Sequence, residues 1–195
     1  MSGAHLVTRA LSRAGVKTVF SLSGNQIMPI YDACIDAGIR IVHVRHEAAA
    51  VHMADAWAQL TGEIGVALLT AAPGITNGLS PLYSARMAES PVLVLSGDSP
   101  MSADGTGPFQ ELAQTEITKP LVKRAVRPTR AAELDRDVTE AIECALSGRP
   151  GPVHVALPFD LLSQDVQDSD APGPAAPRRQ STALAPQAAQ AIAQR

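Results

Sequence analysis

The chain has 195 residues and a formal charge of −3, from 16 Lys+Arg against 19 Asp+Glu. Hydrophobic residues make up 46%, enough for a full core, which excludes a wholly disordered chain. The faintly acidic balance and an aromatic content of 3% exclude a basic, base-stacking nucleic-acid surface.

Residues 4–14 place apolar side chains at helical spacing, with Gly15 as the stop. Residues 17–22 form a short β-rich run that ends in the Ser23-Gly24 turn signal. A helix over 27–37, closed by Gly38, and a strand over 39–44 follow. The Ala- and Met-rich stretch 47–60 predicts a helix ending before Gly62. Residues 65–69 and 91–95 are continuous apolar runs, as expected of strands buried on both faces. A helix is expected over 74–87, another over 131–146, and a last strand over 152–157. Short strands alternating with helices imply right-handed βαβ units: an α/β fold with a parallel sheet of about six strands and helices on both faces.

From residue 163 the composition changes. Residues 163–183 are rich in Pro, Ala, Asp and Gln and read as a linker; residues 184–195 read as the first helix of a further, truncated domain. The first 20 residues carry charges throughout, without the apolar stretch of a secretory signal. The longest apolar run, 64–75, is interrupted by Thr70, Pro73 and Gly74 and is too short for a bilayer. A soluble, cytoplasmic protein with no membrane or nucleic-acid partner is the expectation. Cys34 and Cys144 lack CxxC spacing and read as free buried thiols.

Ligands of open parallel sheets bind beyond the carboxyl ends of the strands. Here that rim is formed by loops 21–26, 45–47, 70–77 and 96–100, with 105–111 placed to cover them. Glu47 opens a helix directly after a strand. The helix dipole stabilises an ionised carboxylate there, while burial opposes it. Ala48, Ala49 and Ala50 leave room for a flat ring; an ordinary first-turn Glu is the plainer alternative. His43, His46 and His52 lie nearby, but Ala50 stands where HExxH needs its second histidine, so no metal site is expected. Pro73 stiffens an apolar surface, Gly74 permits close backbone approach, and Asn77 offers a donor and an acceptor. A helix start preceded by glycine also suits a phosphate, although TAAPGITN matches neither phosphate-loop signature. Ser23, Ser96 and Ser99 lack a GxSxG setting. Lys119, Lys123, Arg124 and Arg127 read as a solvated basic face, and Arg149 as a surface turn charge.

Taken in order, GVKTVFSLSGNQIMPIYDA, VRHEAAAVHMADAWAQLTGEIGVALLTAAPGITNGL, ESPVLVLSGDSP, GTGPFQELAQTEITKPLVKRAV and SGRPGPVHVALPFDLL cover about residues 1–162. Together they resemble the N-terminal pyrimidine-binding domain of thiamine diphosphate-dependent enzymes, the acetolactate synthase large subunit above all. The resemblance implies that Glu47 hydrogen-bonds the aminopyrimidine N1′ and so activates the cofactor to its C2 ylid, which attacks a 2-oxo acid. It places Thr70, Pro73, Gly74 and Asn77 around the pyrimidine, and Gly24, Asn25, Phe109 and Gln110 towards substrate. Arg149 matches an arginine that touches FAD in flavin-carrying members. Mg²⁺ and the diphosphate are expected on a C-terminal domain with a GDG…N signature, which this chain does not contain. The site is then completed by a second subunit of a homodimer or homotetramer, and the chain alone is expected to be inactive. Three segments depart from the family pattern: TSGPGATN reads TAAPGITN, the PGG or PGN turn reads Ser23-Gly24-Asn25, and HEQ reads HEA. They keep open a benzoylformate- or oxalyl-CoA-type decarboxylase on the same scaffold, and a non-catalytic α/β binding domain.

Overall fold

A computed structural model describes residues 1–167 and residue 190. Helix α1 (Gly3–Arg13) leads through the left-handed Gly15 into β1 (Thr18–Ser21). A 3-10 turn (Asn25–Ile27) opens α2 (Met28–Asp36), followed by β2 (Arg40–His43), α3 (Glu47–Thr61) and β3 (Gly65–Leu69). Next come α4 (Pro73–Asn77), α5 (Leu79–Met87) and β4 (Val92–Asp98). The chain continues with α6 (Gln114–Thr118), β5 (Ala125–Val126), α7 (Leu134–Leu146), β6 (Val153–Pro158) and α8 (Phe159–Ser163). The strands form one six-stranded sheet in the order β2-β1-β3-β4-β6-β5, and every strand pair is parallel. The α/β expectation therefore holds. Most of 163–183, and all of 184–195 except Gln190, lie outside the described residues.

Alternation along the central strands builds two cores. Val66, Leu68, Leu93, Leu95, Val153 and Val155 point to one face, packed by α1, α2, α7 and α8. Ala67, Leu69, Val92 and Val94 point to the other, packed by α3 and α5. Helix α3 lies unusually close to the sheet: a Cβ added at Gly65 would stand 1.9 Å from the Ala54 carbonyl oxygen. That contact explains the alanine-rich sequence of α3. Ala50, Ala54 and Ala58 are buried against the sheet, so Ala50 belongs to the core and not to a ring-sized space.

Several expectations need correction. The helix over 74–87 is two helices, broken at Gly78, whose missing side chain lets the chain pass Leu69 and Val51. The strand at 39–44 is a short edge strand with Arg40 and His43 exposed. Ser96 is fully buried within β4, not on a loop. Cys144 is half-buried, while Cys34 is buried; both are free.

The basic run is only partly a solvated face. Arg127 donates from Nε to Asp98 Oδ2 at 2.5 Å and forks onto both oxygens of Asp104 at 2.8 Å each. Lys123 reaches the carbonyls of Cys144 and Ser147, and Arg124 pairs with Glu140.

Beside β4 lies a closed polar network. Gln114 Nε2 donates to Gly97 O and Asp98 Oδ1, so its Oε1 accepts from the Ser96 hydroxyl at 2.7 Å. Ser96 then accepts from His154 Nε2, and Thr118 donates to His154 Nδ1, each at 2.8 Å. This assigns the neutral Nε2–H tautomer to His154. Burial pushes its pKa down to about 3. Among the described residues, no helix is long and apolar enough to cross a membrane.

Candidate functional site

The strand order changes direction between β1 and β3: β2 lies outside β1, whereas β4, β6 and β5 follow β3. In open α/β sheets the crevice beyond such a switch point is where ligands bind. The loops that leave β1, β2 and β3 meet there, and they carry most of the candidate residues.

Glu47 is the first residue of α3. The helix starts at that point because the preceding His46 caps it, its Nδ1 accepting the Ala48 N–H at 3.1 Å. The start of a four-turn helix places its positive end at Glu47 and favours a carboxylate there. Glu47 is 8% exposed. Its Oε2 accepts from Asn77 Nδ2 at 2.9 Å, and no other described residue hydrogen-bonds this carboxyl group. Asn77 is the last residue of α4, so the pair ties the β2 exit to the β3 exit.

Thr70 stands at the start of the β3 exit loop and organises the rest. A Cβ at Gly24 would lie 2.3 Å from Thr70 Cβ and Oγ1, and one at Gly74 would lie 2.8 Å from Thr70 Cγ2. The close approach that both glycines allow is thus to Thr70. The Thr70 hydroxyl donates to Gln26 Oε1 at 2.9 Å. Pro73 begins α4 and is exposed. The residue before it, Ala72, adopts φ 39° and ψ −92°, a conformation rare for a side chain with a Cβ.

Glu47, Thr70, Gly74, Asn77 and Gly24 therefore form one connected set, with Pro73 within it. Asn25 is exposed at the start of the 3-10 turn beside that set. Phe109 and Gln110 lie on a separate loop after β4. Phe109 is 76% exposed. Gln110 has φ 63°, and its Oε1 is buried without a hydrogen-bond partner. The Glu111 carboxylate holds that loop by accepting from Gly105 N at 2.6 Å and Gly107 N at 3.0 Å. Arg149 lies in the turn that enters β6, at the opposite end of the sheet, paired with Glu89.

His43 Nε2 lies 3.3 Å from Ser23 Oγ. Among the described residues no group of three or more His, Cys, Asp or Glu is arranged to hold a metal. Sequence reasoning missed Gln26, whose signal was a carboxamide set directly between a strand-exit turn and an apolar helix.

The donor set fits an aminopyrimidine. A largely buried carboxyl bonds Asn77 through Oε2 and has no described partner on Oε1, at the rim where the fold binds ligands.

The model of the thiamine pyrophosphate enzyme N-terminal TPP binding domain matches residues 1–117. The chain is 44% identical over 160 residues to 2-hydroxyacyl-CoA lyase 2 of Danio rerio, covering 82% of this chain and 26% of the relative. It is 44% identical over 164 residues to the acetolactate synthase isozyme 3 large subunit of Escherichia coli, covering 84% of this chain and 29% of the relative. Against the probable acetolactate synthase large subunit of Methanocaldococcus jannaschii it is 36% identical over 175 residues, covering 90% of this chain and 30% of the relative. The chain thus spans between a quarter and a third of the length of these curated relatives. These matches show that the chain belongs to the thiamine pyrophosphate enzyme family and carries its N-terminal TPP binding domain.

Proposed function

We propose that this domain serves a thiamine diphosphate-dependent carboligase or decarboxylase acting on 2-oxo acids, acetolactate synthase-like, in which Glu47 exchanges a proton with the pyrimidine ring. The observation that carries this reading is the Asn77 to Glu47 hydrogen bond of 2.9 Å at the switch point. When bound, the cofactor supplies a nucleophilic carbon and an electron sink for decarboxylation and carbon–carbon bond formation.

The chain's own residues prepare that chemistry. Asn77 fixes the rotation of the Glu47 carboxyl and leaves Oε1 for the ligand. The α3 dipole favours return of the proton to the ring. Thr70, held by Gln26, and Pro73, set at the α4 start, form the wall beside it. The diphosphate and Mg²⁺ are assigned to another domain and the rest of the site to a second subunit; Asn25, Phe109 and Gln110 are assigned to the substrate side, and Arg149 to a flavin if one is carried.

The test is Glu47→Gln in the enzyme that carries this chain, assayed with saturating thiamine diphosphate, Mg²⁺ and pyruvate. Turnover should fall by about 100-fold or more, the scale of general acid–base catalysis. Equal turnover in variant and parent refutes the assignment. A second reading, a lyase acting on 2-hydroxyacyl thioesters, is favoured by the 44% identity to the Danio rerio relative. Turnover of such a thioester with none of pyruvate would select it.

A further inference from the structure

We infer that Gln26 is a substrate-binding residue whose side-chain amide donates to the carboxylate of the 2-oxo acid; the inference rests on the proposed function above. Gln26 is 5% exposed, an unusual depth for a carboxamide on a turn. It stands at the centre of the rim. Its side chain crosses from the β1 exit to the β3 exit by accepting from Thr70 Oγ1 at 2.9 Å. Its backbone side packs against β4 so tightly that a Cβ at Gly97 would lie 2.6 Å from Gln26 Cβ.

The hydrogen bond fixes which end of the carboxamide is free. The Thr70 hydroxyl donates to Gln26 Oε1 and has no other acceptor among the described residues, which places the amide nitrogen on the far side. The two Nε2–H donors then bond to no described residue. Although the side chain is largely buried, its Nε2 is not sealed from solvent, so both donors open outward and are available to a ligand. The surroundings name the ligand's chemistry. Gln26 is held by Thr70, the residue against which Gly24 and Gly74 pack, and α4 joins Gly74 to Asn77, the partner of Glu47. Gln26 offers two uncommitted N–H groups, whereas Asn77 Nδ2 spends one of its two on Glu47. An oxygen-rich anion is the complement of a paired amide donor; a 2-oxo acid brings a carboxylate next to its reacting carbonyl.

Two substitutions separate this role from a structural one. Gln26→Glu keeps an oxygen for Thr70 and replaces the donors with negative charge. Gln26→Met removes both. In the holoenzyme carrying this chain, Gln26→Glu should raise KM for pyruvate by roughly tenfold or more. The dissociation constant for thiamine diphosphate, read by fluorescence titration, should stay within about threefold. Gln26→Met should show a smaller KM increase of the same kind.

An unchanged KM for pyruvate in an active Gln26→Glu enzyme overturns the inference and leaves the proposed function standing. A wild-type enzyme with no thiamine diphosphate-dependent turnover overturns the proposed function instead. A KM that rises only for a 2-hydroxyacyl thioester, not for pyruvate, also overturns the assignment to a carboxylate. If both variants lose cofactor binding or unfold, as read by circular dichroism, Gln26 is a structural brace and the inference fails.

Discussion

Ala72 offers a direct test of how the β3 exit loop is held. Its φ of 39° with ψ −92° places a Cβ-bearing residue in a region that glycine occupies freely. Such a conformation costs about 1–3 kcal/mol and persists because the flanking structure imposes it. Here Leu69 ends a buried strand on one side and Pro73 begins α4 on the other. Hydrogen bonds from Gly74 N to Ala71 O and from Thr76 N to Ala72 O, both 3.0 Å, lock the turn. Ala72→Gly removes the strain but adds unfolded-chain entropy of about 0.4–1 kcal/mol. The net effect is a gain of about 1 kcal/mol, or a rise in Tm of about 2–4 °C for a domain of this size. Urea unfolding should show a higher midpoint with an unchanged slope. Ala72→Val, with a branched Cβ at positive φ, should lose about 2 kcal/mol or more. A destabilised Ala72→Gly, or an Ala72→Val as stable as the parent, would refute the assignment of strain to this residue.

Two further outcomes follow from the buried polar groups. His154 is neutral in the fold with a pKa near 3, against 6.5 when unfolded. The unfolded chain therefore binds the extra proton, so stability falls as pH drops from about 6.5 towards 3. At about 1.4 kcal/mol per unit, this group removes at most about 5 kcal/mol over that window. His154→Gln should flatten that part of the stability–pH curve in urea titrations; an unaltered slope contradicts the buried neutral tautomer. Separately, Arg127→Ala leaves Asp98, which is 2% exposed, without its cation. Because Gln114 and Ser99 still donate to Asp98, the loss should sit near 3 kcal/mol, the low end for a broken buried pair. Arg127→Lys should not restore it, since a single ammonium cannot fork onto Asp98 and Asp104 together. Urea midpoints for the two variants check both statements.

The layer architecture was legible because β3 and β4 are uninterrupted apolar runs separated by helical stretches. Glu47 was legible because it follows a strand and opens a helix. Its partner was not, since Asn77 comes 30 positions later and meets it only when the β2 and β3 exits lie side by side. Periodicity also passed through Gly78, where the break comes from packing against Leu69 and Val51 rather than from a local signal. The basic run around Arg127 looked solvated because its partners, Asp98 and Asp104, belong to a distant strand end and loop. His154 reads in sequence as one polar residue in an apolar strand. Its satisfaction requires Ser96 and Thr118, brought together by β4–β6 pairing and by α6. Gln26 escaped for the same reason: its role depends on Thr70, on the far side of the switch point.

The central claim is that the Glu47 carboxyl shares a proton with the cofactor's pyrimidine and so sets the acidity of its reacting carbon. Hydrogen–deuterium exchange at the thiazolium C2 of thiamine diphosphate bound to the holoenzyme measures this without any substrate. Glu47→Gln should slow the exchange by about 100-fold or more while the cofactor remains bound. Exchange as fast in Glu47→Gln as in the parent, with cofactor occupancy equal, would contradict the account.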